Sequence, residues 1–243
     1  MINIESKIYV AGHKGMVGSS ILRALNYQGY NNLIFKNFED LDLRNQNEVY
    51  SFLNNEKPDI IINAAAKVGG ILANNTNRFE FIIENLKINI NILETLKHFN
   101  NIKLINLGSS CIYPLEATNP ISEDSIMSGK LEPTNSPYAM AKLAAIEIGD
   151  ALEKQYNNKI INLMPTNLYG PNDNFSENES HVIPGLISRM HKAKTENQNE
   201  FKNIRDRLIE ISKKLAFSVT DFKKLVSRVQ KGEKESRIAK KEM

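Results

Sequence analysis

Cysteine, long apolar runs and a secretion signal are scarce or missing in this chain of 243 residues. The single cysteine, Cys111, excludes an intrachain disulfide and fits a protein of the reducing cytoplasm. No run of about 18 apolar residues occurs, so a membrane-spanning helix is not expected. The first residues also lack the basic-then-apolar pattern of a signal peptide. The sequence therefore predicts a cytoplasmic protein that has no membrane partner.

The composition is that of an ordinary globular protein, with 41% hydrophobic and 24% charged residues. The length suits one domain with a full core plus an appendage. The charge is uneven, because residues 202–243 hold 13 Lys and Arg against 6 Asp and Glu, whereas residues 1–201 are net acidic. A basic tail can bind nucleic acid, but it is more often the solvated face of a helix. A nucleic-acid partner is therefore not expected.

Short apolar runs alternate with helical patterns along most of the chain. The strand-like runs are residues 7–11, 32–36, 60–66, 104–107 and 160–164. The helical patterns are residues 19–27, 43–53, 79–99, 138–156 and 186–192. Asp42 is the expected cap of the second of these helices. This alternation predicts an α/β fold with a doubly wound parallel sheet of the Rossmann type.

A glycine-rich turn follows the first strand directly. Glycines at G-x-x-G-x-x-G spacing make a tight turn, let backbone N–H groups approach a pyrophosphate, and lead into a helix whose dipole favours an anion. A plain surface turn is the alternative, but the position between a strand and a helix favours a dinucleotide. The residues of the turn are Gly12, His13, Lys14, Gly15, Met16, Val17 and Gly18.

The end of the second strand indicates which dinucleotide is bound. NAD-binding sites usually carry an Asp or Glu there for the ribose hydroxyls, whereas this chain has Lys36, with Lys14 nearby in the glycine turn. Two ammonium groups suit a ribose 2′-phosphate, so the sequence predicts NADP(H) as the cofactor. Either lysine could instead be a plain surface residue, and Glu39 and Asp40 follow closely.

Ser109, Tyr138 and Lys142 form a candidate catalytic set. Tyr138 and Lys142 are four residues apart on a predicted helix, so their side chains share one face. An ammonium beside a phenol favours the phenolate, which makes the tyrosine a usable proton donor or acceptor. Ser109 follows a buried strand at the edge where open α/β sheets bind ligands. The tyrosine and lysine alone would be a common surface pair, and the serine is what indicates an enzyme.

Seven motifs, in order along residues 7 to about 201, resemble one known family. They are GHKGMVG at 12–18, AAAKVGG at 64–70, ANN at 73–75, GSSCIYP at 108–114, LEPT at 131–134, MPTNLYGP at 164–171 and SHVIP at 180–184. The family resembled is that of the GDP-L-fucose synthases, which belong to the extended short-chain dehydrogenase/reductases of the NAD-dependent epimerase/dehydratase family.

The resemblance implies an NADP-dependent oxidoreductase with epimerase activity. Members of the family epimerise GDP-4-keto-6-deoxy-D-mannose at C3 and C5 and then reduce its C4 ketone with NADPH to give GDP-L-fucose. The resemblance implies acid/base roles for Cys111 and His181. It implies that Ser109 and Tyr138 bind the carbonyl oxygen, with Tyr138 as proton donor, and that Lys142 holds the nicotinamide ribose. Because the ketone acidifies both neighbouring carbons, one acid/base pair can serve both epimerisations.

Further binding positions are implied by the same resemblance. The implied cofactor contacts, besides the glycine turn and Lys36, are Leu107, Gly108, Ser109, Ser110, Lys142, Pro165, Thr166, Asn167, Leu168 and His181. Arg189 is the implied contact to the GDP-sugar substrate, the family assembly is a homodimer, and no metal ion is expected. From the residues alone, Cys111 could instead be a small buried hydrophobic residue. His181 could equally be a loop histidine with no role in the reaction. The motif context favours a function for both.

The chain departs from the family at the cofactor site. The family often has an arginine in the glycine turn and another after the second strand, where this chain has Lys14 and Phe38. Charge is partly retained, but bidentate recognition of a phosphate is lost. We therefore expect a weaker preference for NADP than is usual in the family.

A larger departure begins after Phe201, where the family continues into a substrate domain. This chain continues instead with basic amphipathic patterns, and residues 221–243 resemble the helical segment before the core-binding helices of a bacterial primary sigma factor. The sequence predicts a truncated NADP-binding epimerase/reductase domain over 1–201 and a C-terminal α-helical tail over 202–243, joined as two fragments. Most of the usual substrate domain is then missing, and turnover stays an open question.

Two other functions remain open on the sequence. One is that of another sugar-nucleotide epimerase or dehydratase on the same fold. The other is that of a non-catalytic fusion fragment, whose sigma-factor-like tail binds nucleic acid or polymerase.

Overall fold

A computed structural model describes residues 3–176 and 179–195 of the chain. It divides the chain into two compact units, Met1–Gly185 and Leu186–Met243, and each is described by itself. Three sequence predictions lie outside the described residues: the boundary at residue 201, the helical tail over 202–243 and the sigma-factor-like segment.

Strands and helices alternate in the order that the sequence predicts. The strands are β1 (Ile8–Ala11), β2 (Leu33–Ile34), β3 (Ile60–Asn63), β4 (Lys103–Leu107) and β5 (Lys159–Leu163). The α-helices are α1 (Met16–Tyr27), α2 (Gln46–Glu56), α3 (Ile71–Thr76), α4 (Arg78–Leu96), α5 (Ser136–Tyr156) and α6 (Val182–Thr195). Two short 3₁₀ turns occupy Ser110–Ile112 and Glu123–Ser125.

The five described strands form one parallel sheet in the order β2-β1-β3-β4-β5. The strand order reverses between β1 and β3, so the connections that leave these two strands diverge and open a crevice at their carboxyl ends. The predicted Rossmann-type doubly wound sheet is therefore confirmed. The crevice lies where the glycine turn follows β1.

Successive residues of the central strands point to opposite faces of the sheet. Ile8, Val10, Ile60 and Ile62 are buried on one face, against Ile21, Leu22 and Leu25 of α1. Tyr9, Ala11, Ile61 and Leu104 are buried on the other face, against residues of α2, α4 and α5. Ile161 and Leu163 of β5 remain 57% and 47% exposed. The apolar cover of the sheet is thus thinner at β5 than at its centre.

Most element boundaries differ from the sequence predictions by one to four residues; β3 ends at Asn63 instead of residue 66, and α6 begins at Val182 instead of residue 186. The second strand is shorter than the predicted 32–36, and α3 was not predicted. The helix expected to follow an Asp42 cap begins only at Gln46, because the Asn45 side chain accepts hydrogen bonds from the N–H groups of Asn47 and Glu48. Asp42 instead accepts hydrogen bonds from Arg44.

Candidate active site

The glycine turn packs its backbone directly against the loop that follows β3. Gly12 has a φ of +74°, and a Cβ on it would lie 2.7 Å from the carbonyl oxygen of Ala64. A Cβ on Gly18 would overlap the Gly12 carbonyl oxygen. Gly15 precedes α1 without a side-chain hydrogen bond to cap the helix within the described residues. The first N–H groups of α1 are therefore available to an anion.

Three basic side chains lie at the glycine turn and the end of β2: His13 and Lys14 belong to the turn, and Lys36 follows the strand. Lys14 is exposed, and the Nζ of Lys36 lies 6.0 Å from the centroid of the Phe52 ring. The His13 ring lies 4.9 Å from the Phe35 ring, centroid to centroid. Burial and the charge of Lys14 both lower the pKa of His13, so its ring is neutral at neutral pH.

Arg44 is a cation that sequence reasoning missed at this end of the crevice. Its guanidinium carbon lies 4.8 Å from the centroid of the Phe38 ring. It is also paired with Asp42 at 2.9 Å and with Glu84 at 3.0 Å. Its hydrogen bonds to Asp42 hold the pKa of that carboxyl below its usual value. A cation thus stands beside Phe38, although two carboxylates share its charge.

Lys142 is fixed under the carboxyl end of β4. Its side chain is buried, and its Nζ donates a 2.6 Å hydrogen bond to the carbonyl oxygen of Leu107. Burial lowers the pKa of Lys142 to about 8, although the nearby Cys111 thiolate acts in the opposite direction. The Lys142 Nζ lies 5.7 Å from the centroid of the Tyr138 ring. The structure therefore brings Tyr138 and Lys142 together with the β4 exit, as predicted.

The pKa of Tyr138 does not follow the sequence prediction. The neighbouring ammonium was expected to favour the phenolate, but burial, and then the charge of the Cys111 thiolate, raise the pKa of Tyr138 above its usual value. The ammonium of Lys142 is engaged with a backbone carbonyl instead. Tyr138 is therefore a neutral phenol at neutral pH, which suits a proton donor better than an acceptor.

Ser109 and Cys111 lie on the turn that leaves β4. The Ser109 hydroxyl accepts a 3.4 Å hydrogen bond from the backbone N–H of Cys111 and caps the 3₁₀ turn. Burial raises the pKa of the Cys111 thiol, while a hydrogen bond with Ser109 and the charge of Lys142 partly offset that rise. The thiol is half-buried and protonated at neutral pH.

The loops that leave β4 and β5 are joined by two backbone hydrogen bonds. The N–H of Gly108 donates to the Leu163 carbonyl at 2.7 Å, and the N–H of Ser110 donates to the Pro165 carbonyl at 3.1 Å. A Cβ on Gly108 would lie 3.2 Å from the Leu163 carbonyl oxygen and would displace the Met164 side chain, so the approach leaves little room for a side chain. Residues 166–168 follow at once and are exposed at the crevice. The predicted cofactor positions on both loops therefore lie together.

His181 and Arg189 are not joined to this cluster in the same way. His181 is exposed and follows a segment in which the Glu179 carbonyl accepts a 2.9 Å hydrogen bond from the N–H of Gly70. In the part of the chain that the structure describes, no hydrogen bond links the His181 side chain to Cys111. Arg189 is half-buried on α6, in the second compact unit.

A row of asparagines across three strands is a feature that sequence reasoning missed. Asn63, Asn106 and Asn162 are register partners on β3, β4 and β5. Their side chains are joined by hydrogen bonds of 3.0 Å and 3.2 Å. The Asn63 oxygen also accepts from the N–H of Ala65, in the loop against which Gly12 packs. The sequence does contain a signal for this row of asparagines, since each of these strands carries an Ile-Asn pair near its end.

Three further features concern residues 3–176 and 179–195: a membrane-spanning helix, a metal site and a surface groove. No helix there is long and apolar enough to cross a membrane. No group of three or more His, Cys, Asp or Glu side chains there could hold a metal ion. A groove of about 240 Å³ lies between α4 and α5, lined by Leu93, Lys97 and Tyr156 among others, and none of the predicted site residues lines it.

The chain is similar in sequence to several GDP-L-fucose synthases and in fold to a solved C4 reductase. The chain is 49% identical over 200 residues to a putative GDP-L-fucose synthase 2 of Arabidopsis thaliana, covering 82% of this chain and 61% of that protein. It is 51% identical over 188 residues to a GDP-L-fucose synthase of Sinorhizobium fredii, covering 77% and 60%. A solved GDP-mannoheptose C4 reductase of Campylobacter jejuni with NADP bound superposes with a TM-score of 0.74 at 35% identity, covering 84% and 62%.

The matches cover most of this chain but only part of each relative. The chain spans about 60% of the length of the curated relatives it matches. The sequence profile of the NAD dependent epimerase/dehydratase family matches residues 8–208, which include every strand of the sheet and both ends of the crevice. The chain belongs to the NAD dependent epimerase/dehydratase family.

Proposed function

We propose that this chain carries the NADP(H)-binding and catalytic half of a GDP-L-fucose synthase. In that reaction GDP-4-keto-6-deoxy-D-mannose is epimerised at C3 and C5, and its C4 ketone is then reduced to give GDP-L-fucose. The observation that carries the proposal is the gathering of Ser109, Cys111, Tyr138 and Lys142 around the β4 exit. Two GDP-L-fucose synthases that are 49% and 51% identical to the chain support the same activity.

NADP(H) is the cofactor that the crevice fits best. The α1 N-terminus and the glycine turn form a cradle that a Cβ at Gly12 or Gly18 would fill, as a pyrophosphate site requires. Lys14 and Lys36 stand on the side of β2, where the 2′-phosphate would lie. The NADP-bound reductase with the same fold supports this assignment. The preference over NAD is moderate, because ammonium groups lack the fork of arginine.

Ketone reduction follows from the protonation states of two side chains. The bound nicotinamide supplies the hydride. Tyr138, whose pKa is raised by burial and by the Cys111 thiolate, is a neutral phenol that donates its proton to the C4 oxygen. Ser109 holds that oxygen by a hydrogen bond. Lys142 remains protonated below about pH 8, and its hydrogen bond to the Leu107 carbonyl anchors the helix that carries Tyr138.

Epimerisation needs an acid and a base next to the ketone. Cys111 is half-buried two residues from Ser109, which would place its sulfur near the carbons that flank the ketone. We assign Cys111 and His181 to this pair. His181 is the base in our assignment and removes the proton from the carbon beside the ketone. Because the thiol is protonated at neutral pH, Cys111 is the acid that returns a proton to the opposite face of that carbon. Arg189 contacts the GDP-sugar in the same assignment.

NADPH binding depends on residues that the structure describes. The glycine turn, the N-terminus of α1 and the β4 exit all lie among them. The chain spans about 60% of the length of the curated relatives it matches. We therefore propose that NADPH binds to this chain.

The remaining assignments belong to the same proposal. We propose one NADP-binding domain over residues 1–201, a basic helical tail over residues 202–243, a cytoplasmic location and a homodimer. The resemblance of residues 221–243 to a sigma-factor segment is a separate proposal, and a generic basic helix is its alternative. A pulldown with RNA polymerase core tests it, and no capture would favour the generic helix.

A keto-sugar reductase without epimerase activity is the second candidate. It is favoured because no hydrogen bond joins His181 to Cys111 in the described residues, and because a solved relative at 35% identity is a C4 reductase. Incubation with the keto sugar in D₂O separates the two candidates. Deuterium entering at C3 and C5 supports the synthase, whereas NADPH oxidation without deuterium entry supports the reductase. Binding of neither NADPH nor NADH would refute both.

A further inference from the structure

The turn that leads into α5 is built around one carboxylate. Glu132 accepts hydrogen bonds from the backbone N–H of Thr134 at 3.1 Å, from the Thr134 hydroxyl at 2.6 Å and from the N–H of Asn135 at 3.1 Å. Glu132 belongs to the LEPT motif, for which neither the cofactor site nor the catalytic set provides a role. Its carboxylate closes the turn immediately before the helix that carries Tyr138.

The carboxylate of Glu132 is ionised in this position. Burial raises its pKa, but the hydrogen bonds from Thr134 and Asn135 and the charge of Arg78 outweigh that effect, so the pKa lies below its usual value. Hydrogen bonds to an ionised acceptor are about twice as strong as neutral ones. The turn is therefore held firmly at neutral pH.

Arg78 holds the same turn from the other side. It lies at the start of α4, and its guanidinium donates to the Pro133 carbonyl at 2.8 Å and to the Ser136 hydroxyl at 3.1 Å. A longer bond of 3.4 Å reaches the Thr134 carbonyl. The turn is thus fixed both by its own carboxylate and by a neighbouring helix.

The first turn of α5 takes its position from this arrangement. The Asn135 carbonyl accepts a 3.0 Å hydrogen bond from the N–H of Ala139, and the Asn135 side chain makes no capping bond within the described residues. Tyr138 lies in that first turn, whereas Lys142, one turn later, is anchored to the Leu107 carbonyl. The lysine is held by β4, whereas the tyrosine lies in the helical turn that directly follows the Glu132 turn.

We propose that Glu132, supported by Arg78, is a positioning residue that sets the place and burial of the Tyr138 phenol. The catalytic relevance of this role rests on the proposed function, in which Tyr138 donates the proton to the ketone. The placement itself does not, because it concerns contacts within the free chain. Loss of the carboxylate releases two backbone N–H groups and lets the first turn of α5 open.

Nitration of tyrosines with tetranitromethane, followed by mass spectrometry on the full chain, tests the placement. Tyr138 is half-buried and should react more slowly than Tyr27, which is 93% exposed and serves as an internal reference. In Glu132→Ala we expect the nitration rate of Tyr138 relative to Tyr27 to rise roughly tenfold, as local opening becomes more frequent. Glu132→Gln keeps one acceptor oxygen and should restore much of the protection. An unchanged rate in Glu132→Ala would overturn the proposal.

Control measurements separate this role from general destabilisation. Glu123→Ala removes an exposed carboxylate from a nearby 3₁₀ turn and should leave the Tyr138 rate unchanged. NADPH affinity should be the same in wild type and Glu132→Ala, because the glycine turn is untouched, while kcat for ketone reduction falls and KM changes little. A wild-type chain that fails to bind NADPH would refute the proposed function but not the placement. Equal protection of Tyr138 with intact NADPH binding would refute the placement alone.

Discussion

The ammonium of Lys142 donates a 2.6 Å hydrogen bond to the carbonyl oxygen of Leu107, the last residue of β4. This bond ties α5 to the strand whose exit carries Ser109 and Cys111. It also leaves the ammonium buried, with a pKa of about 8 instead of 10.5. Lys142 is thus both a packing residue and a group whose charge changes close to physiological pH.

Lys142 should make stability depend on pH in a defined window. Since its pKa is lower in the folded state, the unfolded chain binds more protons between about pH 8 and pH 10.5, and stability rises with pH across that range. We expect the unfolding free energy of wild type to gain up to about 3 kcal/mol over Lys142→Met across this window. Urea unfolding of both proteins at several pH values measures it. A difference that does not vary with pH would contradict the assignment.

Gly18 should be intolerant of any side chain. An added Cβ would overlap the Gly12 carbonyl oxygen and lie 2.9 Å from the Cα of His13, so the glycine turn must shift. Gly18→Ala should cost about 1–3 kcal/mol of stability and weaken NADPH binding at least roughly tenfold. Gly170→Ala is the matched control, since a Cβ there meets no described atom within 4 Å. Equal NADPH affinity in both variants would argue against the cradle.

Cys111→Ser should separate epimerisation from reduction. A serine hydroxyl is a far weaker acid than a thiol, so deuterium exchange at C3 and C5 of the keto sugar should fall by about 10²- to 10⁴-fold. NADPH-dependent reduction of the ketone should be largely retained. NMR in D₂O follows the exchange, and absorbance follows NADPH. Tyr138→Phe is the converse control, with exchange kept and reduction lost. Unchanged exchange in Cys111→Ser would remove Cys111 from the mechanism.

The asparagine row should behave as a coupled unit. Asn106→Leu leaves Asn162 without its hydrogen-bond donor and removes the 3.0 Å partner of Asn63, so we expect a cost of about 1–3 kcal/mol. The double variant Asn106→Leu/Asn162→Leu should cost less than the sum of the two single variants by at least about 0.5 kcal/mol. Denaturant unfolding of the four proteins provides the cycle. Additive costs would show that the side chains are not coupled.

Much of the fold is predictable from the sequence because its signals are local. The apolar run predicted at 60–66 and the glycine turn after β1 each depend on a few adjacent residues; both occur where expected, although the strand ends at Asn63. The predicted start of α2 was wrong because Asn45 and Asp42 are both residue types that cap helix N-termini well. Only the pairing of Asp42 with Arg44 decides between them.

The site is less predictable, because its chemistry depends on burial. Tyr138 and Lys142 were correctly brought together, but the expected lowering of the tyrosine pKa is not found. A sequence gives the spacing of the two side chains, but not that the ammonium would bond to Leu107. Arg44 beside Phe38 was missed for a similar reason, since five residues of irregular chain separate them.

Equilibrium titration of the full chain with NADPH and with NADH is the most direct test of the central claim. The account predicts saturable binding of NADPH, with weaker binding of NADH, because Lys14 lies in the glycine turn and Lys36 follows β2, where we propose that the 2′-phosphate binds. Lys14→Ala should weaken NADPH binding by up to roughly tenfold and leave NADH binding almost unchanged. Failure of the wild-type chain to bind either dinucleotide would contradict the account.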